Sequence, residues 1–256
     1  MRPSSPLTSI GSTLNAQTEM ARERIIFGWS GGKDSAMALQ EILRSGQFEV
    51  AALLTTCTEG FRRVSMHGVR CSLLKTQAVE LGIPLRKVFI SRECSNPEYE
   101  NRMQTALVEF RNLGIKTIVF GDLFLEEIRR YRDQMLAAIG MTALYPIWGR
   151  DTKTLAREFV RDGFHAVLVC VDPRALDASF AGRMFDSALL ADLPAGVDPC
   201  GENGEFHTFV FDGPIFNRGV GYRPGPIVTR DNFCFADLLP VSSTDNPTKN
   251  QKSRRP

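Results

Sequence analysis

The sequence predicts an α/β fold: a doubly wound, mostly parallel sheet with a small C-terminal α+β subdomain. Three observations carry this. Uniformly apolar runs such as IIFGW (25–29), TIVFGD (117–122) and HAVLVCVD (165–172) alternate with helical spans, the pattern of a parallel sheet covered on both faces. A glycine-rich turn, SGGKDS (30–35), lies between the first strand and the first helix. After about residue 178 the rhythm breaks, and the turn formers Asn203-Gly204 and Asp212-Gly213 bracket a β-rich run.

The elements follow in order. The strand at 25–29 leads into a helix over 34–46, with Leu39, Ile42 and Leu43 on one face and Ser45-Gly46 as its stop. VAALLT (50–55) is the second strand, followed by a helix over about 68–81 that aligns Val69, Leu73 and Leu81. PLRKVFI (84–90) reads as a strand opened by Pro84, and NPEYENRMQTALVEFRNLG as a helix aligning Met103, Leu107 and Phe110. Beyond 117–122 come a helix to about 139, the strand ALYPI (143–147), a helix over about 152–162 and the strand 165–172. The expected division is a tail at 1–22, a main domain at 23–179, a subdomain laid over the sheet edge at 180–239, and a basic tail at 240–256. Both tails read as disordered.

Composition bounds the function. At 256 residues, 43% apolar and 23% charged, the chain suits one large domain, or one domain with a small addition. A net charge of +2 is too small to imply a nucleic-acid or membrane partner. The tail lysines and arginines, Lys249, Lys252, Arg254 and Arg255, read as a solvated end. No apolar run suits a membrane span, and the N-terminus lacks a hydrophobic signal core. The cysteines at 57, 71, 94, 170, 200 and 234 are scattered without a CxxC pair, so neither a zinc site nor a disulfide scaffold is expected. A reduced, cytoplasmic setting fits.

The glycine loop carries the chemistry. A GxxxxGK[ST] loop would need a glycine at position 27 and a hydroxyl after the lysine, where this chain has Phe27 and Asp34. GxGxxG is absent too. Adjacent Gly31 and Gly32 remove side chains so that backbone N–H groups can surround an anion, and the helix N-terminus adds its positive end. Ser30 and Ser35 supply hydroxyls, Lys33 a phosphate-neutralising charge, and Asp34 a ligand for Mg²⁺. The alternative is a plain turn with Asp34 or Ser35 as N-cap.

SGGKDS resembles the PP-loop of the ATP pyrophosphatases, and with it the adenine-nucleotide alpha-hydrolase-like fold. GDLFLEEIRRYRDQML (121–136), LYPIWG (144–149) and DPCGENGEFHTFVFDGPIF (198–216) resemble the diphthine–ammonia ligase family, in its archaeal and bacterial form. The resemblance covers roughly 24–216. It implies an AMP- and pyrophosphate-forming amide ligase: a carboxylate is adenylated by ATP, and ammonia then displaces AMP. ATP and Mg²⁺ are the implied cofactors and ammonium the second substrate. The carboxylate is diphthine on elongation factor 2 or a small molecule. Neither a membrane nor a nucleic acid is expected as partner, and a homodimer is among the assemblies allowed.

On this reading Ser30, Gly31, Gly32, Lys33, Asp34 and Ser35 hold the nucleotide. Gly121 and Asp122 join them from the end of a parallel strand, Asp122 as a Mg²⁺ or ribose ligand or else as a helix N-cap. His67, in SMHGV, reads as a nucleotide-site residue or an ordinary loop histidine. Cys200, Glu202, Asn203, Gly204, Glu205, His207 and Thr208 form the substrate side, with Cys200 also weighed as a nucleophile. A strand over 205–211 would set Glu205 and His207 on one face about 7 Å apart, ready to position ammonium or take its proton. Together with Lys33 and Asp34 these two are the expected catalytic residues. Arg129, Arg130 and Arg132 form a basic cluster on one helix, read as a solvated face or partner surface, with contact to ATP phosphates as the lesser alternative. Two other functions remain open: a tRNA-thiolating PP-loop enzyme, for which paired cysteines and a basic module are missing, and a non-catalytic nucleotide-binding module.

Overall fold

The structure is a computed structural model describing residues 22–60, 63–64 and 67–241. Nearly all of both expected tails, and Ser65 and Met66 of SMHGV, lie outside the described residues.

The first sheet is built from β1 (Glu23–Gly28), β2 (Phe48–Thr58), β3 (Arg63–Val64), β4 (Leu85–Ile90), β5 (Thr117–Val119) and β6 (Thr142–Leu144). β2, β1, β5 and β6 lie side by side in parallel, β4 adds in parallel to β2, and β3 runs antiparallel to the end of β2. Helices α1 (Lys33–Ser45), α2 (Cys71–Leu81), α3 (Asn96–Asn112), α4 (Glu126–Ala137) and α5 (Thr152–Arg161) connect the strands. Ser95 caps α3 and Asp151 caps α5, each accepting from an amide three residues on. On α1, Leu39 and Ile42 are buried as expected, but Leu43 is 44% exposed at the edge of the stripe.

The second sheet is antiparallel and comprises β7 (His165–Val171), β8 (Phe206–Asp212), β9 (Tyr222–Arg230) and β10 (Phe233–Pro240), in the order β8-β7-β10-β9. This corrects one expectation: the run 165–172 does not extend the parallel sheet but pairs with β8 and β10. Residues 166–171 are buried on both faces. Two covered faces make a strand uniformly apolar whatever its neighbours' direction, so the pattern could not distinguish the two sheets. Helix α6 (Ser187–Asp192), capped by Asp186, precedes β8.

One buried cluster joins both sheets, uniting Phe27, Trp29 and Leu39 with Val167, Phe185, Phe206 and Phe209. A second, around Ile26, Ile118, Leu107 and Leu136, fills the other face of the parallel sheet. A further correction concerns cysteine. Cys57 and Cys71 are joined as a disulfide, because β3 folds back on the end of β2 and returns the chain to the start of α2. Scatter along the sequence concealed that return. No described helix is long and apolar enough to cross a membrane.

Candidate active site

The glycine loop leaves β1 at the carboxyl edge of the parallel sheet and enters α1. Gly31 is left-handed at φ 78°, and a Cβ there would lie 2.7 Å from Gln77 Oε1. Gly32 is the N-cap of α1 and no side chain caps it, so neither Asp34 nor Ser35 takes that structural role. The uncapped helix end presents its positive pole to the loop. Ser35 Oγ donates to the Gly32 carbonyl at 2.9 Å and lies 3.1 Å from Ser30 Oγ, so both hydroxyls sit at the mouth of the turn.

Two elements clamp this loop. Gln77, fully buried on α2, donates from Nε2 to the carbonyls of Gly31 (3.1 Å) and Val210 (2.6 Å), while its Oε1 accepts from Trp29 Nε1 at 2.9 Å. From β8, the Val210 amide donates to the Gly31 carbonyl at 2.9 Å and Thr208 Oγ1 accepts from the Lys33 amide at 3.0 Å. Gly121 closes the third side: a Cβ there would meet the backbone of Asp34 and Ser35 at 2.9 Å.

Charge is concentrated around the first turn of α1. Lys33 Nζ, buried, donates to both carboxylate oxygens of Asp34 (2.7 and 2.8 Å) and to the Cys200 carbonyl. Burial works against this ammonium, but Asp34, with Cys200 and Glu202, together outweigh it and hold the amine above its ordinary range. Burial likewise pushes the Asp34 carboxyl up, against the pull of Lys33. Asp122 accepts from Arg132 Nη1 at 2.6 Å; burial raises its carboxyl, Arg132 lowers it and the charge of Asp34 raises it further. The N-cap of α4 is Leu125, so Asp122 is not a cap.

The 198–208 segment arranges the other side. Asp198 Oδ1 accepts from the amides of Cys200 (2.8 Å) and Glu202 (3.3 Å), and its Oδ2 from Thr152 Oγ1 at 2.6 Å. Glu205 precedes β8 rather than opening it. Its oxygens accept from the amides of Asp198 and Asn203 and from Asn203 Nδ2, all within 3.1 Å, so this buried carboxylate holds the turn around Gly204. Glu202 differs. Its Oε1 accepts from the Leu123 amide at 2.9 Å, Oε2 has no hydrogen-bond partner among the described residues, and burial pushes the carboxyl up to about 7 with Asp34 and Asp122 contributing.

His207 stacks on His67 with ring centroids 4.5 Å apart. Burial pushes His207 down to about 4 and His67 well below its ordinary value, and the Nδ1 of His67 is buried with no partner among the described residues. Both rings are neutral at pH 7. Cys200 donates its thiol to the Thr152 carbonyl at 3.4 Å, and burial pushes that thiol up to about 12, the opposite of what a nucleophile needs.

The sequence singled out neither Gln77 nor Asp198, and it read Arg132 mainly as part of a solvated face or partner surface. Gln77 did leave a signal, being the polar member of a stripe with Leu73 and Leu81 at spacing four. Arg132 left none that separates it from Arg129, which instead stacks on Tyr145 and Trp148.

Among the described residues no group of three or more His, Cys, Asp or Glu side chains is arranged to hold a metal. The charge of Asp34 is felt at Asp122, and these two carboxylates, paired here with Lys33 and Arg132, are of the donor type that suits a cation arriving with phosphate oxygens, the usual manner of Mg²⁺.

Comparison with known proteins places the chain among relatives of one family. The diphthamide synthase N-terminal domain matches residues 23–143 and the diphthamide synthase C-terminal domain matches residues 151–223. The diphthine–ammonia ligase of Danio rerio is 26% identical over 235 residues, covering 84% of this chain and 92% of that protein. That of Bos taurus is 22% identical over 233 residues, covering 82% and 86%. That of Schizosaccharomyces pombe is 25% identical over 211 residues, covering 75% of this chain but 34% of the longer relative. The clamped glycine loop falls in one matched domain and its clamping strand β8 in the other; the chain belongs to the diphthamide synthase family.

Proposed function

We propose that the protein is an ATP-dependent ligase that joins ammonia to a carboxylate and releases AMP and pyrophosphate. The reading rests on one observation above all: a glycine cradle at the end of a helix, clamped from α2, β8 and Gly121. A clamp of this kind fixes backbone donors before a ligand arrives, so no reorganisation is needed when charge develops on a leaving group. The name carried by the relatives supports the same chemistry, with diphthine as the carboxylate or a related acid in its place.

In the first step a carboxylate oxygen attacks the α-phosphorus and the bond to pyrophosphate breaks. Ser30, Gly31, Gly32 and Ser35 hold the departing pyrophosphate, and the charge of Lys33 balances its anion; a Mg²⁺ arriving with ATP would be held by Asp34 with Asp122 and would supply further charge neutralisation. In the second step ammonia attacks the acyl carbon, the bond to AMP breaks, and the nitrogen loses a proton. Glu202 takes that proton. Its unpartnered oxygen and a carboxyl near 7 suit it to the task, whereas the oxygens of Glu205 are engaged by Asp198 and Asn203. Glu205 and Asn203 are then positioning residues, and Gly204 gives the turn its left-handed φ of 89°. His207 and His67 line the acyl side as neutral imidazoles, and Cys200 contributes its carbonyl to Lys33.

The test is product analysis with labelled ATP, ammonium and a carboxylate panel. AMP with pyrophosphate is expected, in amounts that rise with ammonium. ADP with phosphate would overturn the assignment.

A further inference from the structure

Helix α4 leaves an apolar face uncovered. Ile128 and Tyr131 are three residues apart and share one face of the helix, and Phe124 stands at its entry, one residue before the N-cap. These three large apolar side chains are exposed by 41%, 37% and 39% respectively. The core side of the same helix is carried by Met135 and Leu136, both buried. Tyr131 is held in place: its hydroxyl donates to Glu100 of α3 at 2.9 Å, which stands the ring against the neighbouring helix. Such a strip, on a helix otherwise rich in charge, marks a contact surface more often than idle exposure.

The charges beside this strip match those of the same helix reversed. α4 begins EEIRR (126–130), two acids and two arginines about Ile128. Arg129 is taken up by Asp133 at 3.7 Å and by the rings of Tyr145 and Trp148. Glu126, Glu127 and Arg130 are exposed, and among the described residues none of their side chains has an ion pair or hydrogen bond. This is so although Glu126 and Arg130 stand at the i,i+4 spacing that lets such a pair close within one helix. Glu127 lies four residues before Tyr131 and three before Arg130, so these charges border the strip. With the helix laid antiparallel on its own copy about a two-fold between Ile128 and Arg129, Glu127 of each copy faces Arg130 of the other. A parallel pairing would set Glu127 against Glu127 and Arg130 against Arg130. Exposed ion pairs add little affinity, so the apolar strip supplies the contact and the charges choose its direction.

We infer that the exposed face of α4 is the contact surface of a symmetric dimer, covered by the same helix of a second copy of this chain running antiparallel. The face adjoins the site. Arg132 on α4 donates to Asp122 at 2.6 Å, and Phe124 stands two residues beyond that aspartate. The second copy thus braces the helix that holds the Asp122 carboxylate. Nothing in this contact depends on the ligase chemistry, and its test needs no substrate.

The test is sedimentation equilibrium of the full chain over a concentration series. The wild type is expected to reach twice the mass of one chain. Ile128→Glu, at an exposed position where the fold tolerates a charge, should weaken association by about tenfold or more. Glu127→Arg and Arg130→Glu should each weaken it by about tenfold, because like charges then face one another twice. Mixing these two variants should restore the dimer as a heterodimer, since every facing pair is again a glutamate with an arginine. A folding defect is not cured by mixing. A wild type that stays monomeric at every concentration overturns the inference and leaves the face to a partner of another kind. A dimer that ignores Ile128→Glu overturns it as well, by placing the contact elsewhere on the molecule. Dissociation by both charge reversals without recovery on mixing rules out the antiparallel pairing, and with it this assignment of the face.

Discussion

Gln77 Nε2 donates to the carbonyl of Gly31 at 3.1 Å, and through this bond helix α2 holds the glycine loop in place. The same amide group reaches Val210 and receives Trp29, so one side chain satisfies three buried polar groups. Gln77→Leu removes all three bonds while keeping the volume close. The Gly31 carbonyl keeps the Val210 amide, but Trp29 Nε1 loses its acceptor and the Val210 carbonyl its Gln77 donor; with about 1–3 kcal/mol for a buried group left unpaired, unfolding free energy is expected to fall by roughly 3 kcal/mol in urea titration. KM for ATP should rise as well, because Gly31 loses its tether to α2 and is held by the Val210 amide alone. An unchanged urea midpoint would show that the clamp carries no weight.

Gly121 admits no side chain for a different reason. A Cβ there meets the backbone of Asp34 and Ser35 at 2.9 Å, and backbone cannot swing aside as a flexible side chain can. Gly121→Ala should therefore displace the first turn of α1 and lose ATP affinity, with overpacking of about 1–3 kcal/mol in stability. Gly196→Ala is the control, since nothing lies within 4 Å of its Cβ. Calorimetric ATP titration of both variants checks this; equal affinities would remove Gly121 from the site.

What the sequence made legible was whatever is local. SGGKDS announces itself because glycines, hydroxyls and charges that share one ligand are consecutive, and the parallel-sheet core follows from contiguous apolar runs. Glu202 and Glu205 could not be told apart in this way. They stand three residues apart in one turn, and only the fold decides that Glu205 meets the amides of Asp198 and Asn203 while Glu202 reaches Leu123, 79 residues away. Lys33 and Thr208, 175 residues apart, illustrate the same limit. The membership of β7 was hidden because burial on both faces erases the alternation that would have marked an antiparallel strand.

The two acids are separable by pH. Proton transfer to Glu202 requires its carboxylate, so kcat should rise with pH through about 7, the value to which burial pushes this group. Glu202→Gln should lose at least tenfold in kcat and lose that rise, with KM for ATP little changed. The linkage sign for stability is opposite. A carboxyl raised above its unfolded value favours the fold while protonated, and that contribution disappears as pH rises through about 7. Glu202→Gln should thus gain stability relative to wild type at pH 8 and not at pH 5. A pH–rate profile that keeps its rise in the variant would assign the base elsewhere.

Asp237 provides the last test, on β10 in the β9–β10 hairpin. Arg63 and Arg70 hold its carboxyl down to about 2 although burial works the other way. A depressed carboxyl stabilises the fold above its unfolded value, near 4, and loses that effect as pH falls towards 2. Breaking a buried pair costs about 3–5 kcal/mol, but Arg70 is 38% and Arg63 22% exposed, so solvent screening reduces the loss. Asp237→Asn is expected to cost about 2 kcal/mol at pH 7, and the gap to wild type should narrow between pH 4 and pH 2. Urea unfolding across that range measures it. A pH-independent gap would mean that Asp237 holds the hairpin by shape and neutral hydrogen bonds, not by charge.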